Sequence, residues 1–359
     1  MSLFTRHTGA RGYYGYRGRR PGGSGKGWLV VLLLLILLAA IAFLLAQRYM
    51  VYTKDGSQHF ELPWLRSAAS TEPKPPNDAR QNLEIVIEQP LPVQIADKEM
   101  HALELDAATL QSGTARVLES LAPEINSVAI RLRNARGELL YPSALPAAQE
   151  AKAVTGSSIA GAAIAELTAS GYYTVARLSA LHDNLFSFAH MTDAAVLQLK
   201  YRNYIWYAPD NSFYLAPEKE LTRQYLSDIA AEVAALGFNE LLFDEFGYPT
   251  NGRQNNIDAS GRGMSKEEAL SLLAAALREA VSESGVRLSL WMDESVVLAG
   301  GDAKSGQQLA ALGEVFDRIY VPTTEERIPA LDAAMASCRA ELIPVLAAPP
   351  AEGRYLIAQ

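Results

Sequence analysis

The chain has 359 residues, 49% of them hydrophobic and 20% charged, with 40 acidic against 32 basic side chains. That acidic excess argues against nucleic acid as a partner. The single cysteine, Cys338, excludes an internal disulfide and a thiolate metal site, so the fold must rest on core packing, which a chain of this length can supply.

Residues 1–27 form a Gly/Tyr/Arg-rich tail with Arg6, Arg11, Arg17, Arg19, Arg20 and Lys26 and no acid. From Trp28 to Ala46 the chain is apolar throughout, the length at which a helix crosses a bilayer. Ala40-Ile41-Ala42 could pass for a cleavage site, yet it lies inside the run rather than after it. The run therefore reads as an uncleaved anchor. Basic flanks stay on the cytoplasmic side. The expectation is a single-pass membrane protein, tethered to the lipid bilayer through residues 28–46, with a cytoplasmic N-terminus and an extracytoplasmic C-terminal domain. Taking the six basic residues of the tail from 32 leaves 26 against 40 acids, a net charge of −14 for the remainder. The tail could also be read as RNA-binding, but a topology signal accounts for its charge.

Residues 47–82 contain Ser-Ala-Ala-Ser-Thr-Glu-Pro-Lys-Pro-Pro-Asn, a solvated extracytoplasmic linker without apolar periodicity. From residue 83 to 359 the pattern becomes that of a folded domain. A strand-like alternation at 83–88 leads in. Strands are then predicted over 100–105, 127–132, 172–181, 240–244, 287–292, 317–321, 342–346 and 354–357. Helices are predicted over 107–121, 158–170, 218–236, 265–284, 306–313 and 329–340. Ser265-Lys-Glu-Glu268 is a capping box, and Gly237 and Gly285 are helix stops. Strict alternation implies parallel strands with right-handed crossovers. Eight strands in about 260 residues match an α/β fold of the (β/α)8 TIM-barrel type. A doubly wound sheet is the alternative, but the first strand leads to Asp106-Ala-Ala-Thr rather than a glycine-rich phosphate loop.

A charge inside a helix-covered parallel strand must point to the barrel interior or mouth. On that rule Glu104, Asp106, Arg131, Arg133, Arg177 and Ser179 face inward, and Ser289, Trp291 and Asp293 share one face. Two readings compete for these charges. One is an internal salt-bridge network that fixes the register. The other is a polar cleft for a hydroxyl-rich or anionic ligand.

The most informative stretch is Asn239-Glu-Leu-Leu-Phe-Asp-Glu-Phe-Gly-Tyr-Pro249. Its apolar run ends in Asp244 and Glu245 at a C-terminal strand end, where catalytic groups of α/β folds collect. Half-desolvation there raises a carboxyl pKa towards acid–base work. Trp206, Tyr207, Tyr248, Trp291 and Tyr320 are expected at the rim, and aromatic faces beside carboxylates suit sugar rings.

These segments resemble a family of bacterial TIM-barrel domains of unknown function grouped as glycosyl hydrolases. The likeness runs from about residue 100 to 323. It rests on Tyr173-Thr-Val-Ala-Arg177, His182-Asp183, Trp206-Tyr-Ala-Pro-Asp210 and Leu236 to Pro249. It implies that Asp244, Arg177 and Asp183 fall on the family's own Asp, Arg and Asp. The chain departs from the family in three places. Arg131, Arg133 and Asn134 stand where acids flank a lysine, Gly247 replaces an arginine, and the strand-five Asp aligns nearer Leu290 or Trp291 than Asp293.

The reading is a membrane-anchored glycoside hydrolase acting on a cell-envelope or extracellular polysaccharide. Asp244, Glu245 and Asp293 are its catalytic candidates. Since neighbouring strand residues face opposite ways, only one of Asp244 and Glu245 is expected to point into the mouth. Arg177, His182, Asp183, Trp206, Tyr248, Trp291 and Tyr320 are the substrate-binding candidates. Five histidines without a His-x-His or His-Glu-x-x-His pair point to no metal, and no cofactor is expected. The alternative is a catalytically inactive glycan-binding or envelope-scaffold barrel.

Overall fold

The computed structural model describes residues 50–52, 58–60, 99–155 and 159–358. The chain divides into two units, Met1–Glu84 and Ile85–Gln359. In the first, Met50–Tyr52 pairs antiparallel with Gln58–Phe60, within the segment expected to be a linker. The tail 1–27, the apolar run 28–46 and the alternation at 83–88 lie outside the described residues. No helix among the described residues is long and apolar enough to cross a membrane.

The second unit is a closed barrel of eight parallel strands: β1 (His101–Leu105), β2 (Ser127–Arg133), β3 (Tyr173–Ser179), β4 (Glu240–Asp244), β5 (Arg287–Trp291), β6 (Arg318–Pro322), β7 (Glu341–Leu346) and β8 (Tyr355–Ile357). β8 closes on β1 through the pairs Tyr355–His101 and Leu356–Ala102. Every strand predicted over residues 100–357 is present, with ends within two residues of expectation.

The helices differ more. The predicted 107–121 breaks into Ala107–Gln111 and Thr114–Glu119 at Gly113, whose φ of +124° no longer continues a helix. The predicted 306–313 begins instead as a small ribbon, Gly301–Asp302 against Gln307–Gln308, and becomes helical only at Leu309–Val315. Ser265 caps Lys266–Ala280 with both capping-box hydrogen bonds, as its sequence predicts.

Alternation along the strands sorts side chains into two shells. On β4, Leu241 and Phe243 point outward into the main core, packed with helix residues such as Leu226, Ile229 and Leu273. Burying each such side chain contributes about 1.5–3 kcal/mol. Glu240, Leu242 and Asp244 point into the barrel and define three layers, in the manner of TIM-barrel interiors.

The lowest layer is polar. Glu240 is fully buried and accepts from Arg318 Nη1 (2.6 Å), Tyr173 Oη (2.7 Å) and Tyr320 Oη (2.7 Å). Above it lies an apolar layer that includes Ala102, Ala129, Val175, Leu242 and Ile343. The top layer is charged and opens to the mouth. The buried floor pair costs desolvation that its hydrogen bonds must offset, and it ties β3, β4 and β6 in one register.

Two inward assignments are corrected. The β2–β3 register shifts, so that Arg131 opposes Arg177 but Arg133 opposes Leu178. One extra residue in β2 flips Arg133 to the outer side. There its guanidinium donates to Ser179 O and to Ala180 O (2.9 Å), pairs with Asp183 and faces the Tyr225 ring at 5.7 Å. Asp106 is exposed and caps a helix, accepting from Ala108 N at 3.3 Å.

Candidate active site

The top layer is a chain of alternating charges across the mouth. Arg177 on β3 donates through Nη1 to Glu104 of β1 (2.9 Å) and through Nε to Asp244 Oδ2 (2.7 Å). Arg131 on β2 donates to the same Oδ2 at 2.8 Å. These are short, charge-assisted bonds that fix the carboxylate's plane. Asp244 is 5% exposed, and its other oxygen, Oδ1, has no partner among the described residues. A buried acceptor without a donor is uncommon enough to call for an explanation. The Arg177 guanidinium also lies over the Trp291 ring, 3.8 Å from its centroid, a cation–π contact that holds the indole across the mouth.

Glu245 follows Asp244 at the end of β4 with φ of +52°. This left-handed conformation is rare for a residue with a Cβ. It breaks strand alternation, so the expectation that only one of the two acids reaches the mouth is corrected: both line the same cleft of about 190 Å³, together with Asp293 and Trp291 from the neighbouring strand and the turn after it. The Glu245 side chain is 50% exposed. Its recessed position, then the charges of Asp244 and Asp293, push its pKa above the ordinary glutamate range. Asp293 is exposed at the start of the helix Glu294–Ala299 and makes no capping hydrogen bond, so its carboxylate is uncommitted.

The rest of the predicted set divides. Tyr248 lines the cleft and donates to Glu218 Oε2 at 2.5 Å, under the guanidinium of Arg262. His182 stacks on Tyr214 at 4.7 Å and brings Nδ1 to 4.0 Å from Glu245 Oε2. Burial lowers its pKa, aided by Arg133, so this approach is not a charged pair at neutral pH.

Asp183 is not at the mouth. It is fully buried, pairs with Arg133 and accepts from Phe186 N at 2.7 Å. Gly137 lies so close above it that a Cβ there would come within 2.3 Å of its Oδ1. Tyr320 is not at the rim either. It is 0% exposed in the barrel floor, because its hydroxyl is drawn to Glu240. Trp206 is 1% exposed and packs with Val196, Ala208 and Ala216, outside the cleft that holds the acids.

Sequence reasoning missed Tyr214, Ser305 and Gln307, which complete the cleft wall. Gln307 Nε2 donates to Phe246 O at 3.1 Å, fastening the loop after β4 to the small ribbon. Nothing in the local sequence marks these residues, since the tertiary approach of two loops creates their role. Among the described residues no group of three His, Cys, Asp or Glu side chains could hold a metal ion.

A family model described as "Putative glycosyl hydrolase domain" matches residues 106–322. No curated protein sequence matches the chain. Among solved structures, the glycoside hydrolase domain of PgaB (BpsB) from Bordetella bronchiseptica aligns with a TM-score of 0.50 at 16% identity, over 69% of this chain and 84% of that one. A hypothetical protein from Ruminiclostridium thermocellum aligns with a TM-score of 0.45 at 24% identity, over 52% and 96%. The glycoside hydrolase domain of PelA from Pseudomonas aeruginosa aligns with a TM-score of 0.38 at 14% identity, over 70% and 85%. At these identities the likeness is one of fold.

Proposed function

The chain belongs to this glycosyl hydrolase domain family, and on that premise we propose that it cleaves glycosidic bonds at the barrel mouth. The observation that carries the reading is the pairing of unlike carboxyls on consecutive residues. Asp244 is clamped by Arg131 and Arg177 with Oδ1 unspent, whereas the pKa of Glu245 is raised. Glycoside hydrolysis uses two carboxyl groups in different roles, and unlike surroundings are what separates such roles.

In this reading Glu245 keeps its proton above the ordinary glutamate range and donates it to the leaving oxygen. The unspent Oδ1 of Asp244 either forms a glycosyl ester that water then hydrolyses, or stabilises the positive charge on the anomeric carbon while water attacks it. Either way the water oxygen ends on the anomeric carbon and its proton replaces the one Glu245 gave up. Asp293 sustains the raised pKa of Glu245 and receives a sugar hydroxyl. Trp291, held by Arg177, offers its ring face to the sugar.

The substrate proposed is a cell-envelope or extracellular polysaccharide. The glycoside hydrolase fold shared with the PgaB domain and the proposed tether at 28–46 support that choice. The apolar run and its basic flank support a single-pass protein with the barrel on the extracytoplasmic side.

The test is to incubate the protein and its Asp244→Asn variant with fragmented envelope glycans and read the products by mass spectrometry. New fragments from the wild type alone are expected. Full turnover by the variant would refute the role of Asp244. A second reading, a glycan-binding barrel without turnover, draws on Asp244 Oδ2 being committed to two arginines. It predicts saturable binding with no fragments from either protein.

A further inference from the structure

A second pocket, of about 290 Å³, lies beside the cleft and is lined by Trp206, Tyr207, Arg253 and Asn256. Two structural links tie it to the mouth. The loop after β4 borders both, with Thr250 in the cleft and Gly252 in the pocket, a two-residue step that spans at most about 7 Å. The aromatic wall is shared as well. Tyr214 lines the cleft, Trp206 lines the pocket, and their rings meet edge-on with centroids 6.1 Å apart.

The chemistry of the pocket suits a hydroxyl-rich ring. Trp206 forms a rigid floor, since its Nε1 donates to Arg253 O at 3.1 Å and the Gly252 backbone abuts it. A Cβ on Gly252 would sit 3.2 Å from Trp206 Cζ2 and 3.0 Å from Pro209 Cδ, at a φ of +75°. Tyr207 stands at the edge with 56% of its surface exposed, an aromatic face free to stack. Among the described residues the Arg253 guanidinium and the Asn256 side-chain amide make no hydrogen bond or ion pair, which leaves directional groups at its edge. An aromatic surface with a few convergent polar groups is the usual make-up of a small-molecule site.

We infer that this pocket is a second sugar subsite, which holds a unit of the same glycan chain further along from the bond in the cleft. The ligand class is therefore an oligosaccharide or polysaccharide long enough to occupy both places, rather than a short glycoside. The inference rests on the proposed glycan chemistry of the cleft, but it concerns binding and not bond cleavage.

The test uses the full chain carrying Asp244→Asn, with and without Tyr207→Ala, titrated with size-graded fragments of chitin, de-N-acetylated chitin and peptidoglycan glycan strands. Affinity in the parent should rise with chain length for at least one series. Tyr207→Ala should remove about five-fold of that gain on the longest fragments and leave the shortest unchanged, and Tyr207→Phe should restore it. Superimposable length profiles for parent and Tyr207→Ala would overturn the subsite, as would the absence of any length-dependent gain in all three series. The two readings fail separately. Tyr207-dependent binding without product from the wild type keeps the subsite and removes the hydrolase, whereas product formation with no Tyr207 effect does the reverse.

Discussion

The left-handed backbone at Glu245 yields the sharpest prediction. Both Glu245→Ala and Glu245→Gly remove the carboxyl and its repulsion by Asp244 and Asp293, so their difference isolates the backbone. A side chain with a Cβ pays about 1–2 kcal/mol in this region, and glycine does not. Glycine also gives the unfolded chain more freedom, which costs about 0.4–1 kcal/mol. The balance predicts that Glu245→Gly is more stable than Glu245→Ala by about 0.5–1 kcal/mol, the reverse of their order in a helix or strand interior. For a domain of this size that is about 1–4 °C in Tm, resolvable by paired urea and thermal melts. Both variants should lose glycan cleavage. If alanine proves equal to or more stable than glycine, the residue is not held at positive φ. Strand alternation would then send Glu245 away from Asp244, and the two-acid cleft would have no structural basis.

Other outcomes follow from the same layers. Arg133→Met leaves Asp183 buried without its cation and should cost about 3–5 kcal/mol in urea unfolding, with Asp183→Asn in the same chain recovering part of the loss. Tyr320→Phe deprives Glu240 Oε1 of its donor in the barrel floor and should cost about 1–2 kcal/mol while leaving turnover unchanged; loss of activity without loss of stability would return Tyr320 to the site. Asp293→Asn removes a charge that raises the Glu245 pKa, so the alkaline limb of the kcat/KM profile should move to lower pH. The stability sign is fixed as well. A carboxyl raised by folding favours the fold below its unfolded value, and that contribution is lost as pH climbs towards the folded value. Melts across that window should therefore show a smaller loss for Asp293→Asn than for the wild type.

Much of this was written locally in the chain. Short continuous apolar runs such as Leu241–Phe243 specify the strands within two residues, and the capping box Ser265 to Glu268 fixes one helix start, because burial and backbone satisfaction are short-range demands. The inward position of Glu104, Arg131 and Arg177 also follows from alternation alone. The misreadings arose where one residue breaks the period. The register shift in β2 turned Arg133 outward, and the positive φ at Glu245 brought a second acid into the mouth. Tyr320 and Trp206 were misplaced for another reason: an aromatic carries no mark in the sequence of whether its polar atom answers to water, to a buried Glu240 or to the carbonyl of Arg253. Tyr214 and Gln307 could not have been found, since loops distant in sequence bring them to the cleft.

The apolar layer between the two charged ones has a consequence for change over generations. Leu242, Val175 and Ala129 insulate the floor, where Glu240 and Arg318 lock neighbouring strands together, from the mouth, where Arg177 and Asp244 face the cleft. Substitutions above that insulation can redraw the ligand that is accepted while the lock below goes on dictating how the chain closes. The barrel can thus exchange one chemistry for another without first having to survive as a poorer fold.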